Sequence, residues 1–136
     1  MVMNVSTVIP RRSKYCDAIA SVVAQLGHAT NAEIIDTLRE SFPGLSATTV
    51  HRATTRMAQR AELAMAPKDL TGAMRYDSNL LPHDHFMCDA CGGLRDIQMP
   101  RELVEMLENQ LDGCTVDGGI TFSGRCHVCK KRSENG

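Results

Sequence analysis

Apolar residues recur at helical spacing through Tyr15, Ile19, Val22, Val23 and Leu26, which predicts a first helix over about Arg12 to Leu26, closed by Gly27. Thr30-Asn31-Ala32-Glu33 has the form of a capping box, and Ile34, Ile35, Leu38 and Phe42 supply the apolar face of a second helix that Pro43-Gly44 breaks. Ser46 is a good N-cap for a third helix, which runs to about Ala61 on a thin apolar stripe of Val50, Ala53, Met57 and Ala61. The period then changes. Leu63 to Ala66 and Ala73 to Asp77, joined through Lys68-Asp69-Leu70-Thr71-Gly72, read as a β-hairpin. Three helices and a hairpin suggest a winged helix over residues 1–78, followed by a hinge at residues 79–82.

The pattern beyond the hinge is different. His83 to Met87 and Gly93 to Ile97 are expected as short strands flanking a CxxC, and Pro100 opens a helix through Leu103, Val104, Leu107 and Leu111 that Gly113 ends. Cys114 to Asp117 and Ile120 to Ser123 are expected as two more strands around a Gly118-Gly119 hairpin turn, with a second CxxC directly after them. The tail from Lys130 reads as disordered. The expected class is therefore α+β, with a second small domain over residues 83–136.

The third helix carries Thr48, Thr49, His51, Arg52, Thr55, Arg56 and Arg60 on its polar surface, with no acid between Ser46 and Ala61. In a winged helix this element lies in the DNA major groove, with Arg and Thr reaching phosphates and base edges. On helix order alone, a merely solvated helix is the alternative. Net charge changes the picture only in detail. The total of −1 argues against indiscriminate coating of nucleic acid, but residues 1–82 hold 9 Lys and Arg against 7 Asp and Glu, and residues 83–136 hold 6 against 9. With no Trp, two Tyr and three Phe, any core must be aliphatic and modest, so a metal or a partner subunit is expected to help.

The N-terminal charges follow an apolar stretch, the reverse of a secretory signal, and no segment approaches the roughly 18 apolar residues of a membrane span. A cytoplasmic location without membrane attachment is expected, where six cysteines are better read as metal ligands or reactive thiols than as disulfides. Cys88-x-x-Cys91 and Cys126-x-x-Cys129 supply four thiolates, enough for a closed tetrahedral zinc shell that leaves no place for substrate, which marks the ion as structural. A dithiol redox sensor using the same pairs is the alternative, disfavoured because neither pair is expected between a strand and a helix.

His83 and His85 project from one face of a strand while Cys88 has the opposite parity, so the histidines should serve another metal. If the first CxxC folds the chain back on itself, positions whose numbers sum to about 181 face each other, setting Asp96 opposite His85. Two imidazoles and a carboxylate then converge, whereas the histidines alone would be compatible with surface or packing roles. A zinc nucleobase deaminase is excluded, because its HxE glutamate is missing at Asp84-His85 and the CxxC follows too closely; no enzymatic activity is expected.

The stretch His83-Asp84-His85-Phe86-Met87-Cys88-Asp89-Ala90-Cys91-Gly92-Gly93-Leu94-Arg95-Asp96-Ile97 resembles the hallmark of the ferric uptake regulator (Fur) family. Thr49-Val50-His51-Arg52 is similar to that family's recognition-helix motif, and Gly124-Arg125-Cys126-His127-Val128-Cys129 to its C-terminal cysteine pair. The resemblance implies a winged helix hinged to an α/β dimerisation domain braced by four-cysteine zinc, and a homodimer that represses transcription from a palindromic double-stranded DNA operator. It further implies a regulatory Fe(II) or Mn(II) held by His28, Asp77, His83, His85 and Asp96. This ligand set is most similar to the peroxide-responsive branch, in which a ligand histidine, here His28 or His83, is oxidised; iron-responsive repression of metal uptake is the alternative within the family. His51 departs from the pattern, standing where many relatives have a Tyr that touches DNA. Cys16 and Cys114 fall outside every motif and read as small apolar core residues.

Overall fold

The computed structural model describes residues 14–135. These divide into two compact units, one comprising residues up to Ala66 together with Arg75–Leu80, the other Pro67–Met74 together with the chain from Leu81 onward. In the first unit, α1 (Lys14–Leu26) ends at Gly27, whose φ of 84° lets its N–H reach the Val23 carbonyl at 2.8 Å. The expected start at Arg12 lies outside the described residues. β1 (His28–Thr30) follows immediately, a strand with no counterpart in the predicted elements.

The capping box forms as the sequence pattern predicts: the Glu33 N–H donates to Thr30 Oγ1 at 3.2 Å and the Thr30 N–H to Glu33 Oε1 at 2.9 Å, opening α2 (Asn31–Leu38). α2 stops short of Phe42, because the chain tightens after Leu38 and both Ser41 and Phe42 donate back to the Leu38 carbonyl. Phe42 still packs on the core, edge-on to Tyr15 at 5.1 Å. α3 (Ala47–Gln59) is capped by Ser46, which accepts from the Thr49 N–H. Ala61 is exposed with a φ of 59°, so it terminates this helix instead of extending its apolar stripe.

β2 (Ala64–Ala66) and β3 (Arg75–Asp77) form the expected hairpin, and β3 is the central strand of the order β1-β3-β2. Ile19, Val23, Ala29, Ile34, Val50, Met57 and Tyr76 are almost completely buried here, so this unit holds an aliphatic core closed by one tyrosine.

The second unit contains β4 (Asp84–Cys88), β5 (Leu94–Ile97), α4 (Arg101–Gln110), β6 (Thr121–Gly124) and α5 (His127–Asn135). Its sheet order is β5-β4-β6, with β5 antiparallel and β6 parallel to β4. Four expectations fail in this unit. Residues 114–117 form no strand: the Val116 N–H donates to Glu108 Oε2 at 2.8 Å, so a helix side chain meets the need a strand partner would have met. β6 consequently joins β4 across α4 and makes no hairpin at Gly118-Gly119. The tail from Lys130 is helical to Asn135, and Cys114 is exposed, whereas Cys16 is buried as expected. No helix among the described residues is long and apolar enough to cross a membrane.

Candidate metal centres

β4 ends at Cys88, and the chain reverses through a tight turn in which the Gly92 N–H donates to the Cys88 carbonyl and the Cys88 N–H to the Gly93 carbonyl, each at 2.9 Å. Gly92 has a φ of 76°, a left-handed conformation that favours glycine. This turn aims the N–H groups of Ala90 and Cys91 at Cys88 Sγ and that of Gly93 at Cys91 Sγ, all at 3.4 Å. The second pair arrives through parallel pairing. Gly124 lies opposite Cys88 and accepts from the Asp89 N–H at 2.7 Å, so Cys126 emerges at the same end of the sheet. Cys129 follows in the first turn of α5.

The four sulfurs lie within 4.8 Å of one another, and Cys91 Sγ and Cys126 Sγ are 3.9 Å apart. Tetrahedral zinc with Zn–S bonds near 2.3 Å sets sulfurs about 3.8 Å apart, so the cluster fits that ion. The electrostatics agree. The backbone N–H groups of Cys126 and Cys91 outweigh desolvation and lower the Cys88 thiol from 9.0 to about 6, and the Cys129 N–H lowers Cys126. Cys129 is pushed up to about 12, chiefly by its contact with the Cys126 sulfur and then by desolvation, because one more anion among clustered thiolates needs a cation to offset it. One sequence expectation fails: the second CxxC does lie between a strand and a helix.

A different donor set forms on the other parity of β4. The β4–β5 register pairs His85 with Asp96, as the sum rule predicts. His83 Nε2 and His85 Nε2 stand 3.2 and 3.3 Å from the same oxygen, Asp96 Oδ1, with ring centroids 4.4 Å apart. The Leu81 carbonyl lies 2.7 Å from His83 Nδ1 and can only accept, so Nδ1 carries a proton. With Nδ1 held by the Leu81 carbonyl, Nε2 is the nitrogen that faces Asp96, and the one His83 can offer to a cation. Two imidazoles and a carboxylate with no sulfur suit Fe(II) or Mn(II) chemically. The role of the Leu81 carbonyl is not visible in the sequence, since a backbone atom has no residue signature.

In the first unit, the β1–β3 register sets His28 opposite Asp77, and His28 Nε2 lies 3.3 Å from Asp77 Oδ2. Asp77 is buried, and its Oδ1 also accepts from the Asn79 N–H. On α3, Thr48, His51, Arg52 and Arg56 are exposed, while Thr49 and Thr55 are half-buried. Thr49 is partly committed to the cap, its hydroxyl 2.9 Å from that of Ser46.

Residues 7–114 match the family model of the ferric uptake regulator family. The peroxide-responsive repressor PerR of Staphylococcus aureus is 26% identical over 110 residues, covering 77% of this chain and 72% of its own. Among solved structures, the Helicobacter pylori ferric uptake regulator Fur superposes with a TM-score of 0.76 at 19% identity, covering 94% of this chain and 87% of its own. The Campylobacter jejuni peroxide stress regulator superposes with a TM-score of 0.60 at 20% identity, covering 84% and 90%. The family match ends before Cys126, so the closure of the cysteine cluster is evidence from the fold itself. With nearly four-fifths of the sequence matched and the fold shared, this chain belongs to the ferric uptake regulator family.

Proposed function

We propose that the protein is a homodimeric, metal-dependent transcriptional repressor that binds a palindromic operator and responds to peroxide. The observation that carries this reading is the convergence of His83 and His85 on Asp96, an oxygen and nitrogen donor set separate from the cysteine cluster. A closed sulfur shell suits a permanent brace; an N/O set suits an ion whose occupancy can change. In this reading His28, Asp77, His83, His85 and Asp96 are the regulatory ligands, as the family resemblance implies, for Fe(II) or Mn(II). Residues 1–78 form the DNA-binding domain, 79–82 the hinge and 83–136 the dimerisation domain.

DNA contact through Thr48, Thr49, His51, Arg52, Thr55 and Arg56 is supported by the acid-free outer face of α3. A dimer is supported by the second unit: α4 buries no residue, and Leu103, Met106, Leu111 and Phe122 are 40–58% exposed. Beside them a cavity of about 520 Å³, lined by Phe86, Ile97, Met99, Pro100, Leu103 and Phe122 among others, awaits cover. A second copy of the chain is the natural cover in a family of this symmetry.

The peroxide reading rests on the ligand set and on the 26% identity to PerR. Fe(II), when bound, supplies the reducing equivalents that activate hydrogen peroxide beside the ligand histidines. The protein's part is to hold His83 in one tautomer through the Leu81 carbonyl and to favour the DNA-competent form by as much as metal binds it better.

The test combines metal analysis, selection of binding sites from random duplexes with and without Fe(II) or Mn(II), then peroxide and mass spectrometry. Oxygen is expected on His28 or His83 only in the iron-loaded protein, with zinc retained. Metal-dependent DNA binding that ignores peroxide would indicate iron-responsive repression instead. Oxidation confined to cysteines, with zinc lost, would favour a thiol switch, a reading helped by the strand-to-helix position of Cys126 and Cys129.

A further inference from the structure

Asn31, the first residue of α2, touches α3 at two points. The Thr54 hydroxyl, fully buried on α3, donates to Asn31 Oδ1 at 2.9 Å and also lies 3.0 Å from the Val50 carbonyl and 3.2 Å from that of His51. With its oxygen turned to Thr54, Asn31 presents Nδ2 to His51 Nδ1 at 3.4 Å. An amide nitrogen can only donate, so Nδ1 of His51 is the acceptor. The hydrogen of the neutral ring then resides on Nε2, the opposite edge of an exposed side chain.

We propose that Asn31 is a positioning residue for DNA readout: the Thr54–Asn31–His51 chain fixes His51 as an Nε2–H donor directed at a hydrogen-bond acceptor on the duplex. This deepens the repressor reading and rests on it. The acceptor is a phosphate oxygen or the acceptor edge of a purine or thymine, all of which an N–H can address. An exposed histidine without the clamp would present either nitrogen and could offer a lone pair to the same acceptor. Arg52 and Arg56 bring charge to the same exposed face of α3, and the clamped histidine adds a donor of fixed direction.

The experiment uses the metal-loaded full-length dimer and the duplex it selects from a random library. Asn31→Ala and His51→Ala are each expected to weaken binding by about three- to tenfold, the size of one hydrogen bond, and the double variant to be no weaker than His51→Ala. Long-range ¹H–¹⁵N correlation of His51 should report the Nε2–H tautomer in the wild type and a mixture in Asn31→Ala. If Asn31→Ala fails to fold, Asn31→Asp replaces it. That variant keeps an acceptor for Thr54 but no donor for His51 Nδ1, and it should lose more affinity in the wild-type background than beside His51→Ala, where only its added negative charge acts. A loss shared by all duplexes assigns a phosphate, and a loss at one base pair assigns a base edge; either supports the proposal. Additive losses, or a wild-type His51 protonated at Nδ1, would overturn it. Failure of the wild type to bind any duplex under any metal condition would instead remove the repressor reading, and this proposal with it.

Discussion

Zinc uptake by the cysteine cluster should release fewer protons than four ordinary thiols would. At about pH 7.5, four thiols with the ordinary value of 9.0 are each about 97% protonated and would release about 3.9 protons on becoming zinc thiolates. Cys88, held near 6 by the backbone N–H groups aimed at its sulfur, is only about 3% protonated at that pH and contributes almost nothing. Cys129, near 12, contributes a full proton. The expected release is therefore about one to three protons. On acidification to about pH 5, Cys88 becomes about 90% protonated and its share rises by nearly one.

The sign follows from the depressed value. The thiolate form of Cys88 favours the folded site above its ordinary range, and that contribution is lost as pH falls through about 6. Calorimetric zinc titration of the apoprotein in buffers of different ionisation enthalpy counts the protons directly. A release of nearly four at about pH 7.5, or a Cys88→Ser variant releasing a full proton fewer there, would refute the reasoning.

Three other outcomes follow from the geometry. Ile19→Ala opens a cavity in the fully buried core of the first unit; it should cost about 2–5 kcal/mol and lower its melting temperature by about 10 °C or more, with zinc content unchanged by elemental analysis. Asp96→Ala removes the oxygen shared by His83 and His85, and Mn(II) affinity by competition titration should fall by more than about tenfold while the zinc stays. Arg56→Ala should weaken operator binding and reduce the salt slope by about one if it contacts a phosphate, as read by fluorescence anisotropy across salt concentrations.

Much of this protein is legible residue by residue. The capping box at Thr30, the cap at Ser46 and the stop at Gly27 are local chemistry, complete within one turn of chain, and each forms as its residues require. The parity separating His83 and His85 from Cys88 and the reversal pairing His85 with Asp96 are equally local, since the turn that sets the register lies between the paired residues. These features decide the donor types on each face before any packing is considered.

Tertiary structure decided what is assembled from distant pieces. β1 is three residues long, too short to show a period, and is a strand only because β3 pairs with it, which is what brings Asp77 to His28. Residues 114–117 have strand-like spacing, yet Glu108 takes the Val116 N–H, and the chain reaches the sheet only at β6. The parallel β4–β6 pairing has no signature in either segment, because hydrogen bonds between strands are made by backbone common to all residues. That pairing sets Gly124 beside Cys88 and so closes the zinc shell. The sequence by itself determined which atoms can bind metal and which of them meet across a local turn, as His85 and Asp96 do; the fold decided which distant groups meet, because that depends on long-range backbone pairing that side chains encode only collectively.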